Sequence, residues 1–422
     1  MLMVKLRRGM LLVIVSVLLM VLGLLLQPLN VFFDGYFAIL FSKSVLLSDY
    51  ITIGGLGPTL FNVGSLMFLS YVIVRALDMR ISGALFAGIL TIGGFAFFGK
   101  NLLNVSLIFM GVFLYAYLRK IKLQEVIVVF LFATGISPIS SVLMFGFDLP
   151  YILGVPLGVL VGISSGYLLV ELSSHVRHFH KGYNLYNVGF ACGIFALFYC
   201  SMFTLFNFES EASYVFSLEA HSLLLVVYTG ICVMYFIVGF LINKWSLSGM
   251  KDLMKRTTPT GNDYTSDYAE GVAMINVGLN GLVVLGLVLL LDIQLSGPVV
   301  GGLFTIIGFS AYGKHVRNTW PPMVGVMIMV LLFDVELSVG IILAMLFATA
   351  LAPLAGEHGI LVGVLSGMIH LPVMMGLSGI HGGILLYTNG FAAAFTAVIM
   401  DTLIVSYKRN GLDFDNEDII NE

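Results

Sequence analysis

Charge is what this sequence has least of. Only 10% of its 422 residues are charged, where an ordinary soluble domain carries about 25%. Twenty Lys plus Arg and 23 Asp plus Glu cannot clothe a water-facing exterior of a chain this long. A net charge of -3 leaves no basic face of the density that nucleic acid requires, so no nucleic-acid partner is expected. Cysteine is nearly absent too. Cys192, Cys200 and Cys232 all sit in apolar runs, which excludes a disulfide framework and makes them small core thiols. No Gly-x-Ser-x-Gly elbow, phosphate-binding loop or His-Glu-x-x-His motif occurs, so no catalytic signature, cofactor or metal set is expected.

What fills the chain instead is apolar sequence, 59% of it. A helix needs roughly 17 to 25 apolar residues to cross a bilayer core. Segments of about that length follow one another: 7–27, 51–74, 81–98, 101–118, 123–146, 151–172 and 184–205, then 221–243, 270–291, 297–313, 319–334, 338–355, 358–376 and 384–406. The runs are continuous rather than alternating, so helices are predicted, not barrel strands. The first run follows Lys5, Arg7 and Arg8 like a secretory signal, but Gln27-Pro28-Leu29-Asn30 replaces the small residues of a cleavage site. It reads as a retained span. The fold class expected is all-α and polytopic, with about 14 helical segments.

The chain is duplicated. Gly57 to Asn104 aligns with Gly271 to Asn318 without a gap, matching Asn62-Val63-Gly64 to Asn276-Val277-Gly278, Asp78 to Asp292, Ser82-Gly83 to Ser296-Gly297, and Gly99-Lys100 to Gly313-Lys314. Apolar bias alone would not align Asn, Asp, Lys and several Gly in one register. Leu131-Phe132-Ala133-Thr134 recurs as Leu346-Phe347-Ala348-Thr349, with Pro138 facing Pro353, and the block His180 to Ala191 recurs as His381 to Ala392. The expected organisation is a first repeat at 1–210, a second at 211–406, each of about seven spans, and a cytoplasmic tail at 407–422.

Lys and Arg in short loops favour the cytoplasm. Arg119, Lys120 and Lys122 fall inside, while the equivalent turn of the second copy carries Asp334 and Glu336, which fall outside. An odd number of spans per copy gives the same answer: the copies are inverted, with both termini cytoplasmic. Inverted repeats are the plan by which many transporters place a site at mid-depth. The function expected is a transporter or channel for a small polar solute or ion in the cytoplasmic membrane of a bacterium. Its partners are the lipid bilayer, that solute and, as an open option, further copies of the chain.

The Tyr-x-x-Gly-Phe-Ala block, Tyr186 to Ala191 and Tyr387 to Ala392, together with the Asn-Val-Gly pair, resembles an uncharacterised bacterial family of duplicated multi-pass membrane proteins. The plan also resembles that of urea transporters, which have inverted halves with Asn- and Gly-bearing segments near a pore. That resemblance concerns architecture alone.

Polar side chains repeated inside apolar spans are the first candidates for a site. Asn62 and Asn276 either bind solute or make interhelical hydrogen bonds. Tyr186 with Asn187, and Tyr387 with Asn389, lie in glycine-dense blocks that suggest re-entrant or unwound segments. They suit a neutral solute or cation, or else close helix packing. His180 and His381 offer a proton relay, or are hydrated at span ends. Lys100 and Lys314 are expected to snorkel to the interface, with an anion-attracting role as the alternative. His175, His178 and His180, near Glu171, carry the rival reading of a metal-dependent membrane enzyme acting on a lipid or peptide, against a solvated loop.

Overall fold

Backbone that meets lipid must satisfy its own hydrogen bonds, and the chain does so as helices. The computed structural model describes residues 8–176, 179–209, 215–256 and 263–410, and among them there is no β-sheet. The first half holds α1 (Arg8–Leu25), α2 (Leu29–Leu40), α3 (Leu56–Ala76), α4 (Gly83–Phe95), α5 (Leu102–Arg119), α6 (Ile127–Phe132), α7 (Pro138–Phe145), α8 (Tyr151–Val176) and α9 (Asn187–Leu205). The second half holds α10 (His221–Ile242), α11 (Glu270–Leu290), α12 (Gly297–Phe309), α13 (Val316–Leu332), α14 (Val339–Phe347), α15 (Ala352–His358), α16 (Ile360–Leu377) and α17 (Thr388–Asn410). Ten helices are long and apolar enough to cross a membrane, counting Leu123–Phe145 and Val339–His358 as one helix each. The protein is a multi-pass membrane protein.

Among the described residues four of the fourteen expected segments form shorter helices: 7–27 and 319–334 fall short narrowly, as Gly9–Leu25 and Val316–Leu332, and 81–98 and 297–313 fall short by more. The segments 81–98 and 297–313 form only α4 and α12, of 13 residues each, or about 20 Å of helix against a core of about 30 Å. Each ends in the same left-handed glycine turn, Gly99 (φ 96°) and Gly313 (φ 94°), which a side chain at Cβ would strain. Leu123–Phe145 and Val339–His358 are broken mid-way by 3-10 turns at Ala133–Ile136 and Ala348–Leu351. Pro138 and Pro353 open the helices that follow, a position where the missing N–H costs nothing. The helix Leu29–Leu40 was not anticipated by the hydropathy pattern.

Packing follows the duplicated register. Helices α1 and α3 pair as α10 and α11 do, and α5 pairs with α8 as α13 does with α16. Two elements instead meet their own counterparts: α4 lies on α12, and α9 on α17. In the first of these crossings Gly94 backs onto Gly301, Gly308 onto Ala87, Gly83 onto Ala311 and Gly297 onto Phe97. Early residues of one helix face late residues of the other, so α4 and α12 run antiparallel.

Two carboxylates tie the ends of this central pair. Asp263 Oδ1 accepts the Gly83 amide at 2.9 Å. Its counterpart, Asp49, accepts the amides of Ile51 (3.0 Å), Ser217 (3.1 Å) and Gly297. Burial pushes the Asp49 carboxyl up to about 6 against the pull of these donors, so it is still mainly ionised at neutral pH. The next residue in each copy repeats the pattern: the Tyr50 amide donates to Phe97 O (3.0 Å) and the Tyr264 amide to Ala311 O (3.2 Å).

The α4–α12 crossing leaves no room for a side chain. A Cβ on Gly94 would strike the backbone of Gly301, whereas one on Gly286, in α11, would meet nothing within 4 Å. Gly94→Ala is expected to cost about 1–3 kcal/mol through overpacking, and Gly286→Ala to leave the melting temperature unchanged or higher. Thermal unfolding in detergent checks both; equal melting of the two variants would mean that the crossing is loose.

Candidate functional site

The short helices deliver two lysines to the centre of the protein. The Gly99 turn folds the chain back inward, so Lys100 is fully buried rather than snorkelling to the interface, and Lys314 is buried in the same way. Lys100 Nζ donates to Thr134 Oγ1 at 2.8 Å and to the phenol oxygen of Tyr387 at 2.5 Å. Lys314 Nζ donates to Thr349 Oγ1 at 2.7 Å and to the phenol oxygen of Tyr186 at 2.5 Å. Each threonine sits in the 3-10 break of its own repeat, but each tyrosine comes from the other repeat. The crossing is reinforced by the backbone, with the Leu386 amide on Gly135 O at 2.9 Å and the Leu185 amide on Ala350 O at 3.0 Å.

Asn62 and Asn276 hold the lysine turns. The Asn62 amide donates to Ala96 O (2.9 Å) and Lys100 O (2.8 Å), and the Asn276 amide to Ser310 O (2.7 Å) and Lys314 O (2.8 Å). Both donors of each amide are thereby spent on the carbonyls that follow α4 and α12. This is the hydrogen-bonding alternative for these residues, made to loop backbone rather than to a neighbouring helix.

Between the two lysine sites lies a cavity of about 20 Å³ open to the centre of a water molecule, room for one or two waters. Its walls are three aromatic pairs in register, Phe95 with Phe309, Phe132 with Phe347 and Tyr186 with Tyr387, joined by Thr91 and Thr305. Ring distances repeat across the pairs. Phe95 to Tyr387 and Phe309 to Tyr186 are both 4.8 Å, while Phe95 to Phe347 is 5.6 Å and Phe309 to Phe132 is 5.7 Å. The first turns of α9 and α17 reach the same cavity through Gly189 and Gly390. Asn62 and Asn276 do not line it.

Two vestibules meet this cavity. One, of about 310 Å³, is lined by Val128, Phe132, Leu185, Asn187, Val188 and Tyr312 among others, and shares Phe132, Tyr186 and Phe309 with the centre. The other, of about 60 Å³, is lined by the register counterparts of those six, Leu343, Phe347, Leu386, Thr388, Asn389 and Phe98. It shares Phe347, Leu386 and Asn389 with the centre.

Residues 29–205 and 242–406 match the family described as "Protein of unknown function (DUF1576)". The chain belongs to the DUF1576 family. A match in two regions is consistent with a duplicated family. No curated protein and no solved structure matches the chain.

Of the residues expected to form a site in this DUF1576 protein, Tyr186, Tyr387 and Asn389 line the central cavity, and Asn187 and His180 line the larger vestibule. His180 and His381 are both buried. His180 Nε2 pairs with Asn187 Oδ1 at 2.9 Å, and His381 Nε2 with Gly193 O at 3.1 Å, away from the cavity. Among the described residues no three His, Cys, Asp or Glu are grouped as a metal site. His175 is exposed against Glu171 O and Ser174, and His178 lies outside the described residues.

Sequence reasoning missed Thr134, Thr349, His370 and the four phenylalanines. Thr134 and Thr349 were visible as part of the repeated Leu-Phe-Ala-Thr block, as were Phe132 and Phe347. His370 has no such signal: Leu169 occupies its place in the first repeat, and only the fold brings its Nε2 to Asn389 Oδ1 at 3.2 Å.

A lysine that loses its phenol is left buried with one neutral partner. Tyr387→Phe is expected to cost about 1–3 kcal/mol, the range for stranding a buried polar group. Adding Lys100→Met should recover part of that loss, because the stranded group is then gone. A double-mutant cycle on thermal stability in detergent checks the coupling; additive effects would show that the pair is not a unit.

Proposed function

We propose that the chain moves a small polar solute or ion across the membrane through the central cavity, as two inverted repeats related by a two-fold axis in the membrane plane. One observation carries this reading: two vestibules built from equivalent residues of the two copies end on one shared cavity. The antiparallel run of α4 and α12 supports the inversion, because equivalent helices antiparallel to one another require an axis perpendicular to both. Half-length helices and the irregular segments before α9 and α17 support a polar path, since such backbone is tolerated at membrane depth only where it faces protein or a cavity. The loop charges support both termini on the cytoplasmic side of a bacterial inner membrane.

Passage is proposed rather than catalysis. The unequal vestibules, about 310 Å³ against about 60 Å³, favour a carrier in which the two copies exchange conformations over a channel with one fixed profile. The plan shared with urea transporters assigns no substrate.

Two experiments test the reading. In a background lacking Cys192, Cys200 and Cys232, single cysteines at Ile121 and at its counterpart Val335 are expected to react with an impermeant maleimide from opposite sides of the membrane. Labelling of both from one side would end the inverted arrangement. In proteoliposomes screened with neutral solutes, organic anions and organic cations, at least one is expected to enter faster than into empty liposomes. Val188→Trp, which places an indole in the roomy vestibule, should slow that flux at least about tenfold, and because Val188 is itself buried it should cost about 1–3 kcal/mol of stability. Hydrolysis of a lipid or peptide without any flux would replace transport by an enzyme.

A further inference from the structure

We propose that the solute taken by the central cavity is a small anion, and that Lys100 and Lys314 supply its counter-charge. The inference rests on the transport reading and adds the sign of the solute's charge to it.

An ammonium taken out of water costs several kcal/mol unless it is paired, and intramembrane lysines normally pair with carboxylates or reach the interface. These two do neither. Their partners are the neutral hydroxyls of Thr134 and Tyr387, and of Thr349 and Tyr186. Among the described residues no carboxylate forms an ion pair with either. Glu171 is bound to Arg119, Asp401 to Lys181 and Asp267 to Arg256, while Asp49 and Asp263 are occupied by backbone amides. Duplication placed a lysine in each repeat, and both are retained at the same register without a fixed counter-ion.

The lysines stand behind Tyr387 and Tyr186 rather than in the cavity wall, and helix ends of the same sign reach the wall itself. Helices α9 and α17, of 19 and 23 residues, begin at the cavity, so the positive ends of two helix dipoles meet there. The opposing ends of α4 and α12 would present carbonyls, but Asn62 and Asn276 donate to Ala96 O and Ser310 O just beyond them.

Each tyrosine then links charge to cavity. Its oxygen accepts from the lysine, its ring lines the cavity, and its own hydrogen is left to donate either to Thr134 or Thr349 or to an anion. A phenol polarised by an adjacent ammonium is a strong donor to a negative charge. A cation in the same place would meet two helix N-termini, with a lysine behind each tyrosine. The cavity's size confines the guest to an anion of a few heavy atoms, of the order of chloride, nitrate or formate.

The test uses the full chain in liposomes and isotopic uptake of chloride and formate, beside urea and methylammonium. Anion uptake is expected at least about tenfold above empty liposomes, with urea and methylammonium at background. Wild-type selectivity decides the sign of the charge without any variant. Lys100→Met and Lys314→Met, each confirmed folded by melting in detergent, should lower anion uptake at least about tenfold, and Tyr387→Phe should lower it while keeping both lysines. Urea or methylammonium flux without anion flux overturns the anion assignment and leaves the transport reading standing. Anion uptake that survives both folded methionine variants overturns the role of the lysines. No flux of any probe overturns the transport reading and this inference with it.

Discussion

Two lysine amino groups buried at the centre of the protein must be met by oxygen, and each finds half of that oxygen in the other repeat. Lys100 belongs to the first copy and Tyr387 to the second; Lys314 and Tyr186 reverse the roles. Neither copy can satisfy its own lysine to the same degree alone. This requirement explains why α4 and α12 stop short, why a left-handed glycine follows each, and why a 3-10 break presents Thr134 and Thr349 on the facing side. It also explains the asparagines, which hold the turn that carries each lysine.

Around this exchange the fold is held by close packing, because lipid offers helices no hydrophobic reason to associate. Small residues bring backbones together at α4–α12, and again where Gly111 meets Gly166 and, in the second copy, Gly325 meets Gly367. The repeated sites are those where a side chain would collide with backbone. The two copies differ at the vestibules, where Asn187 and Val188 in one become Thr388 and Asn389 in the other. Two paths of common origin thereby differ in polarity.

Much of the duplication was legible. The register from Gly57 to Asn104 against Gly271 to Asn318 recurs in particular contacts, those of Asn62 and Asn276 with the lysine turns, and it extends backwards to Asp49-Tyr50 and Asp263-Tyr264, which bridge to the ends of the α4–α12 pair. Even Asp78 and Asp292 have one local cause, a left-handed residue after each helix (φ 55° and 54°), a conformation that Asp tolerates better than most side chains. Hydropathy counted the apolar segments but not their lengths in space, since 13 helical residues and their flanking turns read like one span.

The sequence alone determined that the chain is helical, lies in a bilayer and is built twice, because composition and recurrence are properties of the string. It also marked Tyr186, Tyr387 and the two lysines as repeated. Which of these meet, and that Lys100 turns inward when a lysine at a helix end would ordinarily reach for water, was decided by tertiary structure. The partner that makes the difference stands 287 residues away, and no local pattern carries a contact between residues so distant.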